Sequence, residues 1–525
     1  MTFRAVKPSD GTTYGTDIPE HSQSEVNAFI EKAAATTSAI AAQSPAQRAA
    51  LLRAISAEIE AVRPSLIESA CAETALPEAR IAGEITRTTV QFELFAQLVE
   101  SGKHLAVAID KADANYSPAP RPDIRKLNQP LGVVAIFAAS NFPLAFSVAG
   151  GDAASAIAAG NAIVAKAHPA HPNTCATVEG AIKSALTKCG LSTDTYSIVQ
   201  GTNPEITHWL ALHDEVKAIG FTGSEIVGKI LVDLAAGRKE PIPVFAEMGS
   251  LNPVFVTSSA IADRSEALAK GLIDSALMGS GQFCTKPGLV FTPKNDEFIA
   301  TIKSHLATLS AAPLLSKSIA ERYSSAIAKL SSLGKIEIAS GITQEQGFGV
   351  TPTVFITDWE TAASNPELLE EHFGPTTVVI TCDEAKFADI ASSLHGQLTA
   401  TIQGTDSDHV AELMSVLAQK AGRVIWNGFP TGVAVTSAMN HGGPWPASSS
   451  HTTSVGTDAI YRFMRPVAYQ GFAQNVLPEA LRDSNPWSVP RTIESVSVLN
   501  PHLVSADLMA PSTVAHVFGC AGCAD

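Results

Sequence analysis

An α/β fold with mainly parallel sheets is predicted by two observations on the sequence. Short apolar runs recur through the first half of the chain: VVAIF at 133–137, NAIVAK at 161–166, YSIVQG at 196–201, KAIGF at 217–221 and PVFAE at 243–247. Amphipathic stretches separate these runs, and strands that alternate with helices form βαβ units with helices on both faces of the sheet. A Rossmann-type dinucleotide-binding half is the natural expectation.

The flanking regions have other patterns. From about 22 to 108, Ala, Leu, Ile and Glu recur at spacings of three and four, which predicts a mostly helical flank. The segment 112–129 is rich in Pro and polar residues, and we expect a loop or an edge excursion there. After about 252 a second α/β region begins with PVFVT, includes TTVVIT at 376–381 and runs to about 465.

Composition excludes several classes of protein. The 525 residues are 45% hydrophobic and 17% charged, which argues against long disorder, and the net charge of −15 argues against nucleic acid as a partner. The seven cysteines are odd in number and mostly far apart, as in a reducing compartment. The N-terminal residues carry neither a signal core nor a transit pattern, so we predict the cytoplasm.

The uncharged segment 131–151, LGVVAIFAASNFPLAFSVAGG, is long enough to cross a bilayer. However, Asn141 and Pro143 interrupt its middle, and β-branched residues crowd its first half. These features favour a buried strand, a turn and a helix, and we predict no contact with a membrane.

The most informative motif is GSGQFCTKPG at 279–288, in which Cys284 stands among small residues. Glycines allow sharp turns and bring backbone N–H groups close to a ligand. The neighbouring Lys286 would favour a thiolate over a thiol. A lone cysteine is more often a small core residue, so this motif alone leaves both interpretations open.

Two polar residues follow predicted strands. Glu247 ends an apolar run, at the edge where open α/β sheets bind their ligands, and it could act as a general base for a cysteine nucleophile. Asn141, in SNFPL, could donate its side-chain amide to an oxyanion. The structural alternatives are a helix-capping or salt-bridged glutamate and a turn asparagine.

Two loops are suited to phosphate binding. Lys166 closes NAIVAK, and GFTGSEIVG at 220–228 places Gly223 and Ser224 where a helix should begin, with its N–H groups and positive dipole end facing a ligand. Neither loop matches GxGxxG, so spacing alone does not identify the ligand.

Taken in order, SNFPL, NAIVAK, GFTGS, AEMGSLNP, GQFCT and EEHFGP strongly resemble the aldehyde dehydrogenase superfamily from about 22 to 465 and beyond. The resemblance implies that Cys284 is the nucleophile, Glu247 the base, and Asn141 an oxyanion donor together with the backbone N–H of Cys284. It implies a nicotinamide cofactor and no metal. The expected cofactor-binding residues are Lys166, His168, Gly201, Gly223, Ser224, Glu371 and Phe373.

The implied chemistry makes demands on these groups. The thiolate adds to an aldehyde carbon, hydride leaves to the nicotinamide, and water activated by Glu247 hydrolyses the thioester. We therefore expect partial burial to raise the pKa of Glu247 toward the working pH. In KAHPAHP, Pro169 replaces the glutamate with which many NAD-preferring members bind the adenosine ribose. Since Lys166 and His168 could attract a 2′-phosphate, we predict NADP as the preferred cofactor, with NAD as an alternative.

The substrate is expected from the same resemblance. The runs around 137–152, 166–172 and 427–457 look most like the 2,5-dioxopentanoate (α-ketoglutarate semialdehyde) dehydrogenase branch, with NADP-linked long-chain fatty aldehyde dehydrogenases as an alternative. His441 is the leading candidate for binding the keto acid, although a structural histidine in a Gly-Pro loop fits nearly as well. A relative that has lost its chemistry, or an ester hydrolase, is less favoured because Cys284 and Glu247 are both present.

The resemblance also implies a domain division and a homodimer or homotetramer. The expected parts are a cofactor-binding domain at 1–111 and 129–249, a catalytic domain at 250–465, an oligomerisation arm with a C-terminal strand at 112–128 and 466–500, and a tail at 501–525. Cys520 and Cys523 form a CxxC in that tail, where a flexible end is favoured over a redox or zinc role.

Overall fold

The computed structural model describes residues 2–494 and 496–498. An N-terminal hairpin is followed by four helices and two strands: β1 (Thr2–Val6), β2 (Thr13–Pro19), α1 (Gln23–Ala41), α2 (Pro45–Ala61), α3 (Arg63–Thr74), α4 (Glu78–Glu100), β3 (Val107–Asp110) and β4 (Ile124–Pro130). Capping boxes start α1 at Ser22 and α2 at Ser44, because each serine and the residue three positions later satisfy each other's backbone N–H groups. The helical flank predicted from 22 to 108 is confirmed as far as 100.

The next region alternates strand and helix: β5 (Val133–Phe137), α5 (Gly151–Ala159), β6 (Ala162–Lys166), α6 (Pro172–Lys188), β7 (Tyr196–Val199), α7 (Glu205–Leu212), β8 (Val216–Thr222), α8 (Glu225–Ala236) and β9 (Val244–Glu247). Its five strands form a parallel sheet in the order β7-β6-β5-β8-β9. Every residue of the central β5 is buried, as expected for a strand that helices cover on both faces.

A second α/β region contains β10 (Val254–Val256), α9 (Ser258–Leu277), β11 (Leu289–Thr292), α10 (Asp296–Leu306), α11 (Lys317–Ser331), β12 (Glu337–Ser340), β13 (Thr353–Asp358), α12 (Trp359–Ser364), β14 (Thr376–Thr381), α13 (Phe387–Ser393), β15 (Gln397–Gln403), α14 (Ala411–Lys420) and β16 (Ala421–Trp426). The strands pair in the order β12-β13-β14-β11-β10-β15-β16, and the described pairs are parallel except β12 with β13. The predicted α/β fold with parallel sheets is confirmed.

A third sheet joins distant parts of the chain in the order β17-β4-β3-β18-β19, where β17 is Met464–Gln470, β18 is Arg491–Ile493 and β19 is Val496–Val498. The expectation of a loop or edge excursion over 112–129 is wrong for its last third. There β4 lies inside this sheet, between β3 and β17, and buries Arg125 and Leu127 on one face. The domain division stays a prediction, although β3, from the predicted 1–111 segment, pairs within this sheet.

The uncharged segment 131–151 forms β5, a turn region and the start of α5, as predicted. Within the described residues, none of the helices combines the length and the hydropathy that crossing a bilayer requires. Cys520 and Cys523 lie outside the described residues.

Candidate active site

The carboxyl ends of the five-stranded sheet gather most of the residues predicted from the first half of the chain. Asn141 follows β5, Lys166 ends β6, Gly201 follows β7, and Gly223 follows β8. Glu247 is the last residue of β9. Parallel strands end at one edge of a sheet, so these positions face a common crevice.

Cys284 lies on a tight loop that its neighbours hold in place. Gly281 has a positive φ of 66°, and a Cβ there would lie 2.0 Å from the carbonyl oxygen of Gly374, so only glycine fits. The side-chain amide of the buried Asn252 donates to the carbonyl oxygens of Cys284 and Lys286, at 2.8 and 2.9 Å. The position of the thiol is therefore set from both sides of the loop.

Three side chains meet at this point. His441 Nε2 lies 3.6 Å from Cys284 Sγ and 2.9 Å from Glu247 Oε1. His441 is fully buried, Glu247 is 3% exposed, and Cys284 is partly exposed. A thiol, an imidazole and a carboxylate in contact form a nucleophile with a base system. These donor types also suit zinc, so the expected absence of a metal stays a prediction.

Glu247 is held by the segment that follows β16. Met248 N donates to the carbonyl oxygen of Ala447 at 2.8 Å, and Ala246 N donates to Ser449 Oγ at 2.8 Å. Ser454 Oγ donates to Glu247 Oε2 at 2.5 Å. The carboxylate is thus fixed by residues some 200 positions away in the sequence.

The pKa expectation for Glu247 is wrong in sign. Burial acts to raise the pKa of Glu247. The charge of His441, its hydrogen bond and the hydrogen bond from Ser454 together outweigh burial and lower this pKa. By contrast, burial and then the Glu247 carboxylate raise the pKa of Cys284 well above its ordinary value. At neutral pH the cysteine is a thiol that needs a base, and Glu247 is a carboxylate.

Lys286 does not have the predicted effect on the thiol. Its Nζ donates to the carbonyl oxygens of His372 and Gly374, at 2.6 and 3.2 Å. Burial lowers the pKa of Lys286 to about 8. The lysine instead ties the Cys284 loop to the segment that carries Glu371 and Phe373.

Asn141 lies beside the Cys284 loop, where its Nδ2 donates to the carbonyl oxygen of Gln282 at 2.8 Å. The amide carries a second N–H that remains for another acceptor. Glu84, from α4, fixes this turn by accepting from the backbone N–H groups of Leu144 and Ala145, at 2.9 and 3.0 Å. The geometry thus brings an amide donor close to the nucleophile.

The chain matches the family model described as the aldehyde dehydrogenase family over residues 1–467. It belongs to that family. The chain is 43% identical to α-ketoglutaric semialdehyde dehydrogenase 2 of Azospirillum brasilense over 93% of this chain and 95% of the relative. It is also 43% identical to the α-ketoglutaric semialdehyde dehydrogenase of Acinetobacter baylyi, over 86% and 88%.

A solved structure has the same fold. The glyceraldehyde-3-phosphate dehydrogenase GapN of Methanocaldococcus jannaschii, complexed with NADP, superposes with a TM-score of 0.77 at 21% identity, covering 89% of this chain and 98% of that chain. As an aldehyde dehydrogenase the protein is an NAD(P)-dependent oxidoreductase. The sheet carrying Lys166 and Gly223 is the one predicted to bind the dinucleotide.

The crevice at this sheet has the features that a dinucleotide requires. A Cβ on Gly223 would lie 2.6 Å from the Phe221 ring, so the backbone there stays bare for close approach. Ser224 caps α8 without a side-chain hydrogen bond, which leaves the first-turn N–H groups free for a phosphate. Ile226 is 76% exposed on the same turn. Together with the exposed Ile230 it offers an apolar surface to the adenine ring of a dinucleotide. The residues present fit the cofactor.

Lys166 Nζ donates to the carbonyl oxygens of Ala167 and Gly201, both at 2.7 Å, and burial lowers the pKa of this lysine to about 8. Nearby, His168 Nδ1 accepts from the N–H of Ala170 at 3.2 Å. Burial and the charges of His171 and Lys166 lower the pKa of His168 well below its ordinary value. His168 is therefore a neutral donor rather than the cation that the sequence suggested.

Glu371 and Phe373 reach the site from the second α/β region. The Glu371 carboxylate lies against Gly249, where a Cβ would be 2.2 Å from its Oε2. Phe373 packs on an apolar cluster that contains Leu314 and Tyr323. Their roles toward the cofactor stay predictions.

Sequence reasoning missed four residues that build the site: Glu84, Arg87, Asn252 and Ser454. Asn252 carried a signal, since AEMGSLNP belongs to the quoted motifs. The others lie outside motifs, and their partners are distant in sequence, so no local pattern marks them. His441 was found, and it lies in contact with Cys284 and Glu247.

Proposed function

We propose that this aldehyde dehydrogenase oxidises 2,5-dioxopentanoate (α-ketoglutarate semialdehyde) to 2-oxoglutarate. The observation that carries the substrate is the 43% identity to two α-ketoglutaric semialdehyde dehydrogenases over most of the chain. The alternative, a long-chain aldehyde, would require an apolar tunnel. The comparisons do not favour this alternative.

In the first step, Cys284 attacks the aldehyde carbon and its thiol proton moves to the His441–Glu247 pair. The 3.6 Å and 2.9 Å separations around His441 Nε2 support this transfer. A base is needed because burial and the Glu247 charge raise the pKa of the thiol. His441 is then a catalytic residue rather than the substrate-binding residue first expected.

The oxyanion that forms is held by Asn141 Nδ2 and the backbone N–H of Cys284. When bound, the nicotinamide ring accepts the hydride that leaves the substrate carbon. The acyl group stays on Cys284 as a thioester. Because the sulfur then carries no negative charge, the Glu247 carboxylate no longer faces a competing anion.

Before the last step, the His441–Glu247 pair releases the thiol proton to solvent, which leaves Glu247 ionised. Glu247 then takes a proton from water, and the resulting hydroxide attacks the thioester carbon. The C–S bond breaks, the departing thiolate takes up the proton held by Glu247, and 2-oxoglutarate leaves after its new carboxyl group loses a proton to solvent. Ser454 donates a hydrogen bond to Glu247, and His441 contacts it. These two interactions keep the Glu247 carboxylate ionised and directed at the acyl group.

NADP is the cofactor that we propose to be preferred over NAD. Pro169 stands where a carboxylate would repel a 2′-phosphate, and Lys166 lies close by as a cation below about pH 8. His168 contributes a neutral N–H rather than a charge. Gly201, Glu371 and Phe373 complete the proposed cofactor contacts.

We also propose that the third sheet is an oligomerisation arm in a homodimer or homotetramer. Phe472 and Val476, which follow β17, are 51% and 62% exposed, and a partner subunit would cover them. The cytoplasm stays the predicted location.

The test is the initial rate of NADP reduction, and separately of NAD reduction, with 2,5-dioxopentanoate and with a long-chain aldehyde. Cys284→Ala serves as the control. A strong keto-acid rate that vanishes in the control supports the proposal. A preference for the long-chain aldehyde would overturn the substrate assignment, and a wide NAD preference would overturn the cofactor assignment.

A further inference from the structure

Helix α4 carries a stripe of polar side chains on one face. Arg80, Glu84, Arg87 and Gln91 are spaced by four, three and four residues, which places them on one face of the helix. Buried polar atoms normally find partners, because leaving them unpaired is costly. The stripe can therefore be examined one residue at a time for atoms that lack a partner.

The first two residues form an ion pair with each other. The Arg80 guanidinium lies over the rings of Phe142 and Phe283, at 4.6 and 4.8 Å, and its Nη2 is 3.5 Å from Glu84 Oε2, although neither of these two atoms has a hydrogen-bond partner among the described residues. Glu84 also holds the turn after Asn141. Both residues thus support the walls around Cys284.

Arg87 is different. Its Nη1 donates to the carbonyl oxygen of Val433 at 2.5 Å, while its Nε and Nη2 are buried and have no hydrogen-bond partner among the described residues. The described chain places no carboxylate in an ion pair with it. Nε and Nη2 form one edge of the guanidinium, and this edge binds a carboxylate through two parallel hydrogen bonds.

This unpaired edge of Arg87 lies in the surroundings of Cys284. The Arg87 guanidinium lies 5.4 Å from the Phe146 ring, and that ring lies 6.2 Å from the ring of His441, which contacts Cys284. Burial is the main influence that raises the pKa of Cys284, and the charge of Arg87 acts against it. Arg87 is therefore close enough to the thiol to act on it electrostatically.

Gln91, one turn further along α4, supplies an independent observation. It is 2% exposed, and its Nε2 also lacks a hydrogen-bond partner among the described residues. Two neighbouring turns of one helix thus present unpaired donors. Arg423, another arginine whose charge interacts with that of Cys284, also has a buried Nε without a hydrogen-bond partner among the described residues, but both of its Nη atoms donate to the carbonyl oxygens of Pro430 and Gly432.

We infer that Arg87 binds the terminal carboxylate of the substrate through Nε and Nη2, and that it makes the enzyme selective for short aldehydes that end in a carboxylate. The inference rests on the proposed function. In 2,5-dioxopentanoate the carboxylate carbon lies about 5 Å from the aldehyde carbon along an extended chain. Anchoring the carboxylate at Arg87 holds the aldehyde end at Cys284.

The experiment compares kcat/KM for 2,5-dioxopentanoate and for pentanal, an aldehyde of equal chain length without the carboxylate. Arg87→Met removes the charge, and Arg87→Lys keeps the charge but loses the fork. We expect Arg87→Met to lower kcat/KM for the keto acid by roughly 100-fold, mainly through KM, and for pentanal by less than about threefold. For the keto acid, the kcat/KM of Arg87→Lys should lie between that of the wild type and that of Arg87→Met. The matched control is Arg53→Met, at a solvent-accessible arginine of α2.

Equal losses for both substrates would show that Arg87 only supports the Val433 segment, and an unchanged preference for the keto acid would also overturn the inference. A second measurement does not depend on turnover. 2-Oxoglutarate should slow the alkylation of Cys284 by iodoacetamide in the wild type but not in folded Arg87→Met, and equal protection would overturn the inference. A wild type that ignores 2,5-dioxopentanoate refutes the proposed function, while the protection assay still decides the role of Arg87.

Discussion

Glu247→Gln separates the two halves of the proposed reaction. The substitution is nearly isosteric, because the amide oxygen can still accept from Ser454 and the side chain still fits beside His441. What is lost is the charge and the ability to take a proton. We expect the thioester to form and then to persist.

The expected size follows from the role of a general base, which contributes between about 10² and 10⁴ to a rate. We expect the steady-state rate to fall by roughly 1,000-fold, or about 4 kcal/mol of barrier. Thioester formation should survive, because His441 Nε2 remains 3.6 Å from the thiol to take its proton and because the lost charge of Glu247 is one cause of the raised pKa of Cys284. Without that charge the pKa of the thiol falls, and more thiolate is present at a given pH.

The assay is stopped-flow measurement of cofactor reduction, together with intact mass of the quenched protein. The variant should give a burst of about one reduced cofactor per active site, and then slow turnover with an acylated Cys284. Cys284→Ala should give neither. A variant that loses the burst together with turnover, or that turns over within about threefold of the wild type, would refute the assignment of Glu247.

Three further predictions concern charge and stability. Since burial lowers the pKa of Lys166 to about 8, its charge is lost as pH rises through that value, and KM for NADP should increase between pH 7 and 9 more than KM for NAD, as initial rates would show. The rate of Cys284 alkylation should rise with pH beyond the range of an ordinary thiol, and Glu247→Gln should move that profile to lower pH, as mass spectrometry would show. Arg48, 4% exposed, donates to carbonyl oxygens at the ends of α1 and α5, so Arg48→Met should cost roughly 1.5–3 kcal/mol and lower the Tm in calorimetry.

The strands of the five-stranded parallel sheet could be predicted nearly to the residue. Each is a short, mostly buried apolar run, so its signal lies within five or six consecutive residues. β4 had no such signal. Its sequence, IRKLNQP, is polar, and it becomes a strand through pairing with β17, more than 300 residues away. The N-terminal hairpin of β1 and β2 was also not predicted, since its strands are mostly exposed.

The same distinction applies to the site. Cys284, Glu247 and Asn141 lie in local motifs, and the structure brings them to one place as the resemblance implied. The direction of the Glu247 pKa could not be predicted, because it depends on His441 and Ser454, which pack against β9 from a distant loop. The effect of Lys286 was predicted wrongly for the same reason, since its acceptors lie in the segment after Glu371.

The electrostatics of the cluster also explain why the reaction must run in one order. Cys284 and Glu247 both contact His441, and the Glu247 carboxylate disfavours ionisation of the Cys284 thiol. In the resting enzyme the carboxylate holds the charge, so the thiol can ionise only as its proton moves to the His441–Glu247 pair. Acylation then converts the sulfur to a neutral thioester, which removes the competing charge. Once the proposed pair has released the thiol proton to solvent, Glu247 is ionised again and can take a proton from the water that attacks the thioester.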